Sequence, residues 1–173
     1  MTVILGIDPG SRVTGFGVIR FKQHRCEYLA SGCIRMGTVS LAERLQTIFQ
    51  GIQEVIRLYQ PTQVGIEKVF VGRNIDSALK LGHARGAAIL AVAESTLSVC
   101  EYSARQVKRS VVGFGAADKN QVQQMVSALL KLSKVPSQDA ADALAIAICH
   151  AQMQQGLRHI QKGNKLVKGR IRE

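Results

Sequence analysis

The chain carries only 12 acidic residues against 23 lysines and arginines, and four of the acids stand among apolar neighbours. Asp8 closes the run "ILGID", directly before Pro9 and Gly10. Glu67 lies inside "VGIEKV". Asp139 and Asp142 are three residues apart at the head of "DAADALAIAICH", a spacing that puts both on one face of a helix. A carboxylate in a core strand or on a packed helix is costly unless a cation answers it. Hard divalent cations do so readily: Mg2+ takes oxygen ligands, keeps several waters and is completed by substrate phosphate. Two such ions roughly 3.5–4 Å apart stabilise both the attacking and the leaving oxygen of a phosphoryl transfer. Taken singly, the acids have plainer readings. An Asp before Pro-Gly forms turns, and aspartates in a first helical turn complement the helix dipole. Glu67 has no such local use.

A sheet and a last helix must hold these acids. Residues 2–7 and 14–21 read as strands joined by a glycine-bearing turn, with 27–36 as a third, antiparallel strand. In "SLAERLQTIFQGIQEVIRLYQP", Leu41, Leu45, Ile48, Ile52, Val55 and Tyr59 recur at helical spacing. Ser40 with Glu43 is a capping-box signature, and Pro61 marks the stop. Residues 63–69 and 98–102 read as strands; 74–96, 105–112 and 121–132 read as helices, and a strongly helical stretch opens at Pro136. Strands first, then strands alternating with helices, predict an α/β fold. Its mixed five-stranded sheet would be an antiparallel meander followed by parallel strands, flanked by helices. One domain over residues 1–156 is expected, followed by the basic tail 157–173 without structure.

The formal net charge is +11. Residues 157–173 hold six Lys or Arg and one Glu, which leaves +6 on the rest. Excess charge on body and tail alike points to a polyanionic partner, nucleic acid first. Arg105, Lys108 and Arg109 form one basic stripe if their segment is helical, although a solvated helix face has the same pattern. A hydrophobic fraction of 46% supports a core without staples. Cys26, Cys33, Cys100 and Cys149 lie far apart with no C-x-x-C pair, which argues against a zinc site or a disulfide framework. The N-terminus lacks the basic flank of a signal peptide, and no run approaches the ~20 apolar residues of a membrane span. A reduced, cytoplasmic, soluble protein is expected. Gly82-x-x-x-Gly86 permits close helix packing, within the chain or across a dimer. His150, two helical turns past Asp142, reads as structural.

In order and spacing, "GIDPGSRVTGFGVI", "IEKVFVGRNIDSALKLGHARGAA", "YSARQVKRSVVGFGAADKNQV" and "DAADALAIAICH" resemble the RuvC-type Holliday junction resolvases. The resemblance covers nearly the whole chain short of the tail. Its first motif is shared with wider ribonuclease H-like and actin-like ATPase groups; the long middle segment and the last helix are more specific. It implies a ribonuclease H-like fold, a homodimer, and Mg2+-dependent nicking of four-way DNA junctions in recombination and repair. Two ions per active site are implied, with Mn2+ as a substitute. The family's four metal-binding acids fall on Asp8, Glu67, Asp139 and Asp142. Its aromatic that acts on bases at the junction falls on Phe70, and its basic DNA-contact positions on Lys108 and Lys119. The branch-migration proteins RuvA and RuvB are the implied partners.

Three rivals are weighed against that reading. A ribonuclease H-like nuclease acting on RNA would share the first motif but lack the middle segment. An actin-like phosphotransferase needs a second nucleotide-binding half, and no G-x-x-x-x-G-K-[ST] loop offers another ATP site. A non-catalytic junction-binding module explains the charge and leaves the acids without a use.

Overall fold

The computed structural model describes residues 1–69 and 74–168, with the backbone alone from 157 onward. Its elements run β1 (Thr2–Asp8), β2 (Val13–Lys22), β3 (Arg25–Arg35), α1 (Leu41–Tyr59), β4 (Gln63–Glu67), α2 (Ile75–Glu94), β5 (Val99–Tyr102), α3 (Ala104–Val112), α4 (Lys119–Leu129) and α5 (Gln138–Lys168). The five strands form one sheet in the order β3-β2-β1-β4-β5. β1 pairs antiparallel with β2, and β2 with β3, while β4 lies parallel to both β1 and β5. The sheet is therefore the predicted meander extended by parallel strands, and the fold is ribonuclease H-like.

Alternation along the strands divides the core between two faces. Leu5, Ile7, Val18, Val64 and Ile66 pack on one face beneath α1 and α2, with Ile48, Ile52, Ala88 and Val92. Ile4 and Ile19 pack on the other, with Leu144, Ile148, Val107 and Val126 from α5, α3 and α4. Ser40 caps α1 in a complete capping box with Glu43, as its sequence signature predicts.

The structure differs from expectation at several element ends. β4 stops at Glu67, two residues early. α4 begins at Lys119 under an Asp118 cap and stops at Leu129, because Lys131 turns left-handed at φ 52°. Composition predicts no structure from 157, whereas the backbone of α5 is helical to Lys168. Lys, Arg, Gln and Leu are good helix formers. A glycine such as Gly156 costs only about 1 kcal/mol against alanine, too little to stop a helix already nucleated by its buried half.

Candidate active site

The period of two in the strands aims the site. In β1, Ile4, Gly6 and Asp8 share the face under α5; in β4, Gln63, Gly65 and Glu67 share it too. β1 and β4 run parallel, with Ile7 opposite Ile66, so their carboxyl-terminal ends deliver Asp8 and Glu67 to the same edge. Glycines then let α5 descend onto the sheet. A Cβ on Gly15 would collide with the carbonyl oxygen of Asp139, and one on Gly6 with that of Ala143. On Gly17 it would stand 2.6 Å from the Leu144 nitrogen. Gly15 is also the partner of Asp8 across the β1–β2 ladder. The alanines of "DAADALAIA" complete this close approach, since a bulkier helix surface would hold α5 off. Asp139 and Asp142 thereby enter the region of Asp8 and Glu67.

Three of the acids carry the mark of one another's charge. Burial pushes the Asp8 carboxyl up to about 8, and Glu67, Asp142 and Asp139 add to the shift by repulsion. Glu67 is raised by burial and by Asp142, against a hydrogen bond with Asp8 that lowers it. Asp142 is raised by burial and further by Asp139, with Lys119 and Lys108 opposing. Lys119 and Lys108 also lower Glu67, so both lysines lie near the cluster. Arg105 and Arg109 share α3 with Lys108, and both are exposed. The Arg105 side chain lies across Gly115, where a Cβ would come within 2.6 Å of its Cγ.

Four acids against two lysines leave a formal deficit of two positive charges, which suits a divalent cation. Among the described residues no group of three or more His, Cys, Asp or Glu side chains is drawn together closely enough to hold a metal ion by itself. An incomplete protein shell is what a hard cation needs if it keeps waters and takes further oxygens from substrate phosphate. The donor set therefore fits Mg2+ or a similar ion.

Two further residues complete the description. Arg85 of α2 donates from Nε to the Glu67 carbonyl oxygen at 3.3 Å and pairs with Glu101 at 2.8 Å, bracing the strand end that carries Glu67. Sequence reasoning passed over Arg85, because its partners are a backbone atom and a residue of another strand. His150 is buried, with Tyr102 Oη 2.9 Å from Nδ1 and Gln63 Oε1 3.0 Å from Nε2. Burial lowers it to about 4. It sits at the Gln63 end of β4, the opposite end of that strand from Glu67. Phe70 lies outside the described residues.

Among the described residues no helix is long and apolar enough to cross a membrane. A family model described as crossover junction endodeoxyribonuclease RuvC matches residues 4–150. The chain is 60% identical to a crossover junction endodeoxyribonuclease RuvC of Marinobacter nauticus, over 100% of this chain and 99% of that one. It is 64% identical to the protein of that description from Pseudomonas paraeruginosa, over 91% and 90%. Among solved structures it superposes on Thermus thermophilus RuvC in complex with Holliday junction substrate with a TM-score of 0.82 and 34% identity, covering 87% of this chain and 93% of that one. A yeast mitochondrial Holliday junction resolvase shares the fold, at a TM-score of 0.67 and 11% identity over 95% and 85% of the two chains.

Proposed function

The chain belongs to the RuvC family of crossover junction endodeoxyribonucleases, and from that membership we propose that it resolves four-way DNA junctions with the acid cluster at the end of β1. The observation that carries the assignment of the site is the seating of α5 on Gly6, Gly15 and Gly17, which gathers Asp8, Glu67, Asp139 and Asp142 from two strands and a helix.

Asp8, Glu67, Asp139 and Asp142 would hold Mg2+, as one ion or two, and Mn2+ is expected to substitute. Bound there, such ions would supply activation of water against a phosphodiester and stabilisation of the departing 3′ oxygen, the chemistry that gives 5′-phosphate and 3′-hydroxyl ends. Lys108 and Lys119 flank the acids and offset part of their charge. They would draw the phosphate backbone in, with Arg105 and Arg109 extending the basic surface along α3. Phosphate contacts of this kind fix register and carry little sequence information, so junction shape supplies the selectivity. Phe70, beyond the end of β4, is the proposed residue for contact with bases at the crossover, where stacking is worth roughly 1–3 kcal/mol. Arg85 is a positioning residue through its hold on the Glu67 backbone.

A homodimer is part of the proposal. On α2, Ile75, Leu79 and Leu90 are 68%, 58% and 61% exposed, in line with Gly82 and Gly86. A Cβ at either glycine would meet nothing within 4 Å, so the G-x-x-x-G spacing does no packing among the described residues. A second copy laid along this stripe would bury it and present two acid clusters to a two-fold junction, for paired symmetric nicks. RuvA and RuvB are the partners, and the cytoplasm the compartment, that this function calls for.

The test is cleavage of a labelled mobile four-way junction beside linear duplex and an RNA–DNA hybrid, with and without Mg2+, for wild type and Asp8→Asn. Paired, Mg2+-dependent nicks on the junction alone, abolished in the variant, are expected. Binding without cutting under every metal tried would return Asp8 to a turn residue and leave a DNA-binding module.

A further inference from the structure

At the far end of the sheet from the acids lies a half-open groove of about 1170 Å³. β1 shows the separation: Asp8 pairs with Gly15, whereas Thr2, six residues back, pairs with Phe21, which lines the groove. At about 3.3 Å per residue that is roughly 20 Å. The β2–β3 hairpin forms one wall and the α4–α5 connection the other, with α5 as the floor.

Three of the exposed large apolar residues stand on these walls: Tyr28 at 41%, Leu129 at 45% and Val135 at 66%. Arg25, Lys131 and Lys134 stand among them, all exposed. The one carboxylate of the lining, Glu27, is engaged by Arg20 at 3.3 Å. No carboxylate is paired with the other three cations among the described residues. Hydrogen bonds hold the second wall in shape. Leu132 N donates to Ser127 O at 2.9 Å, Gln123 Nε2 to Pro136 O at 2.7 Å, and the Ser137 hydroxyl meets Cys33 Sγ of β3 at 3.1 Å. A preformed cleft of this size, apolar on its walls and cationic at its rim, has the make-up of a binding site.

We infer that this groove docks an acidic peptide segment of another protein, one in which carboxylates alternate with large apolar side chains. Charge complementarity selects the acid component: Arg25, Lys131 and Lys134 would pair with carboxylates, and Tyr28, Leu129 and Val135 would cover the apolar residues. A second copy of the tail is a poor occupant, since residues 157–173 are themselves strongly basic. Nucleic acid is the weaker fit, because a phosphate backbone gains nothing from the exposed leucine and valine. The docked partner would sit well away from the acid cluster, so binding and cleavage are separable.

Fluorescence anisotropy of a short fluorescein-labelled peptide of alternating Asp or Glu with Leu or Phe, titrated with the full chain, tests the inference. Saturable binding in the range of roughly 1–50 μM is expected. Lys131→Glu with Lys134→Glu should weaken it at least about tenfold and Val135→Ser about threefold, with junction cleavage unchanged in both variants. The inference is overturned by absence of saturable binding. It is equally overturned if a peptide with serine in place of Leu and Phe binds as well, or if a single-stranded oligonucleotide of the same charge competes with equal affinity. Cleavage plays no part in the peptide readout, so its outcome stands apart from that of the nuclease assay.

Discussion

At Asp8 the fold holds a carboxyl whose proton leaves only near pH 8, because burial and three neighbouring acids oppose its charge. In the unfolded chain the same proton leaves near 3.8. The folded state therefore binds more protons between those values, and without a cation stability falls as pH rises across the window. Asp8→Asn removes that dependence. In chelator, the melting temperature of wild type is expected to drop between about pH 5 and pH 8 by roughly 3–8 °C more than that of the variant, taking 2–4 °C per kcal/mol. Equal slopes would mean that Asp8 releases its proton in the fold as it does in the unfolded chain. Mg2+ at about 100 times its dissociation constant should restore some 2.7 kcal/mol to wild type at pH 8, read as a rise in melting temperature that Asp8→Asn lacks. His150 behaves in the opposite sense. Tyr102 donates to Nδ1 while Nε2–H donates to Gln63 Oε1, so the ring is a neutral structural link. His150→Ala leaves a cavity and two orphaned partners, a loss of roughly 2–4 kcal/mol by urea denaturation. Single-turnover cleavage by the folded fraction should stay within about threefold.

The same logic at the level of elements puts weight on the contact of α5 with the sheet. Gly15→Ala drives a methyl group into the Asp139 carbonyl and shifts the head of α5. A misplacement of about 1 Å costs on the order of 100-fold in rate when groups must converge. Junction cleavage is expected to fall about that far, while junction binding through α3 and α4 persists in a gel-shift assay. Much of this element layer was legible in the chain. Five strands, the α1 capping box and an alanine-rich last helix all follow from periodicity and punctuation. Asp8, Glu67, Asp139 and Asp142 stand out for a related reason: taken together, four carboxylates amid Ile, Val and Ala call for a shared cation. What stayed hidden depends on distant partners. Arg85 braces β4 through a backbone carbonyl, the groove walls meet only in three dimensions, and residues 157–168 are helical because a buried segment precedes them. The role of the glycines belongs to the same group, since Gly15 reads as an ordinary strand residue until α5 is seen resting on it.

At the scale of the whole molecule, the proposed α2 interface and the basic surface are open to measurement in solution. Leu79→Glu with Leu90→Glu places charge on the exposed face of α2 and should shift sedimentation from dimer to monomer. Paired cuts should then give way to single nicks; an unchanged dimer would move the interface elsewhere. Lys119→Ala should weaken junction binding evenly across sequences and flatten the salt dependence of affinity by roughly one unit of slope.

The order in which the ribosome releases the chain gives the seating of α5 another meaning. Synthesis proceeds from the N-terminus at about 5–20 residues per second, and α5 is made after the nine other elements described. Asp8 and Glu67 emerge early, but Asp139 and Asp142 follow only with the helix that also supplies much of one core face. A nascent chain, or one cut short before residue 139, has half the acids and an open sheet face. On the proposed site, cutting power and a closed core would arrive together with α5, and a product that stops short of that helix would have neither.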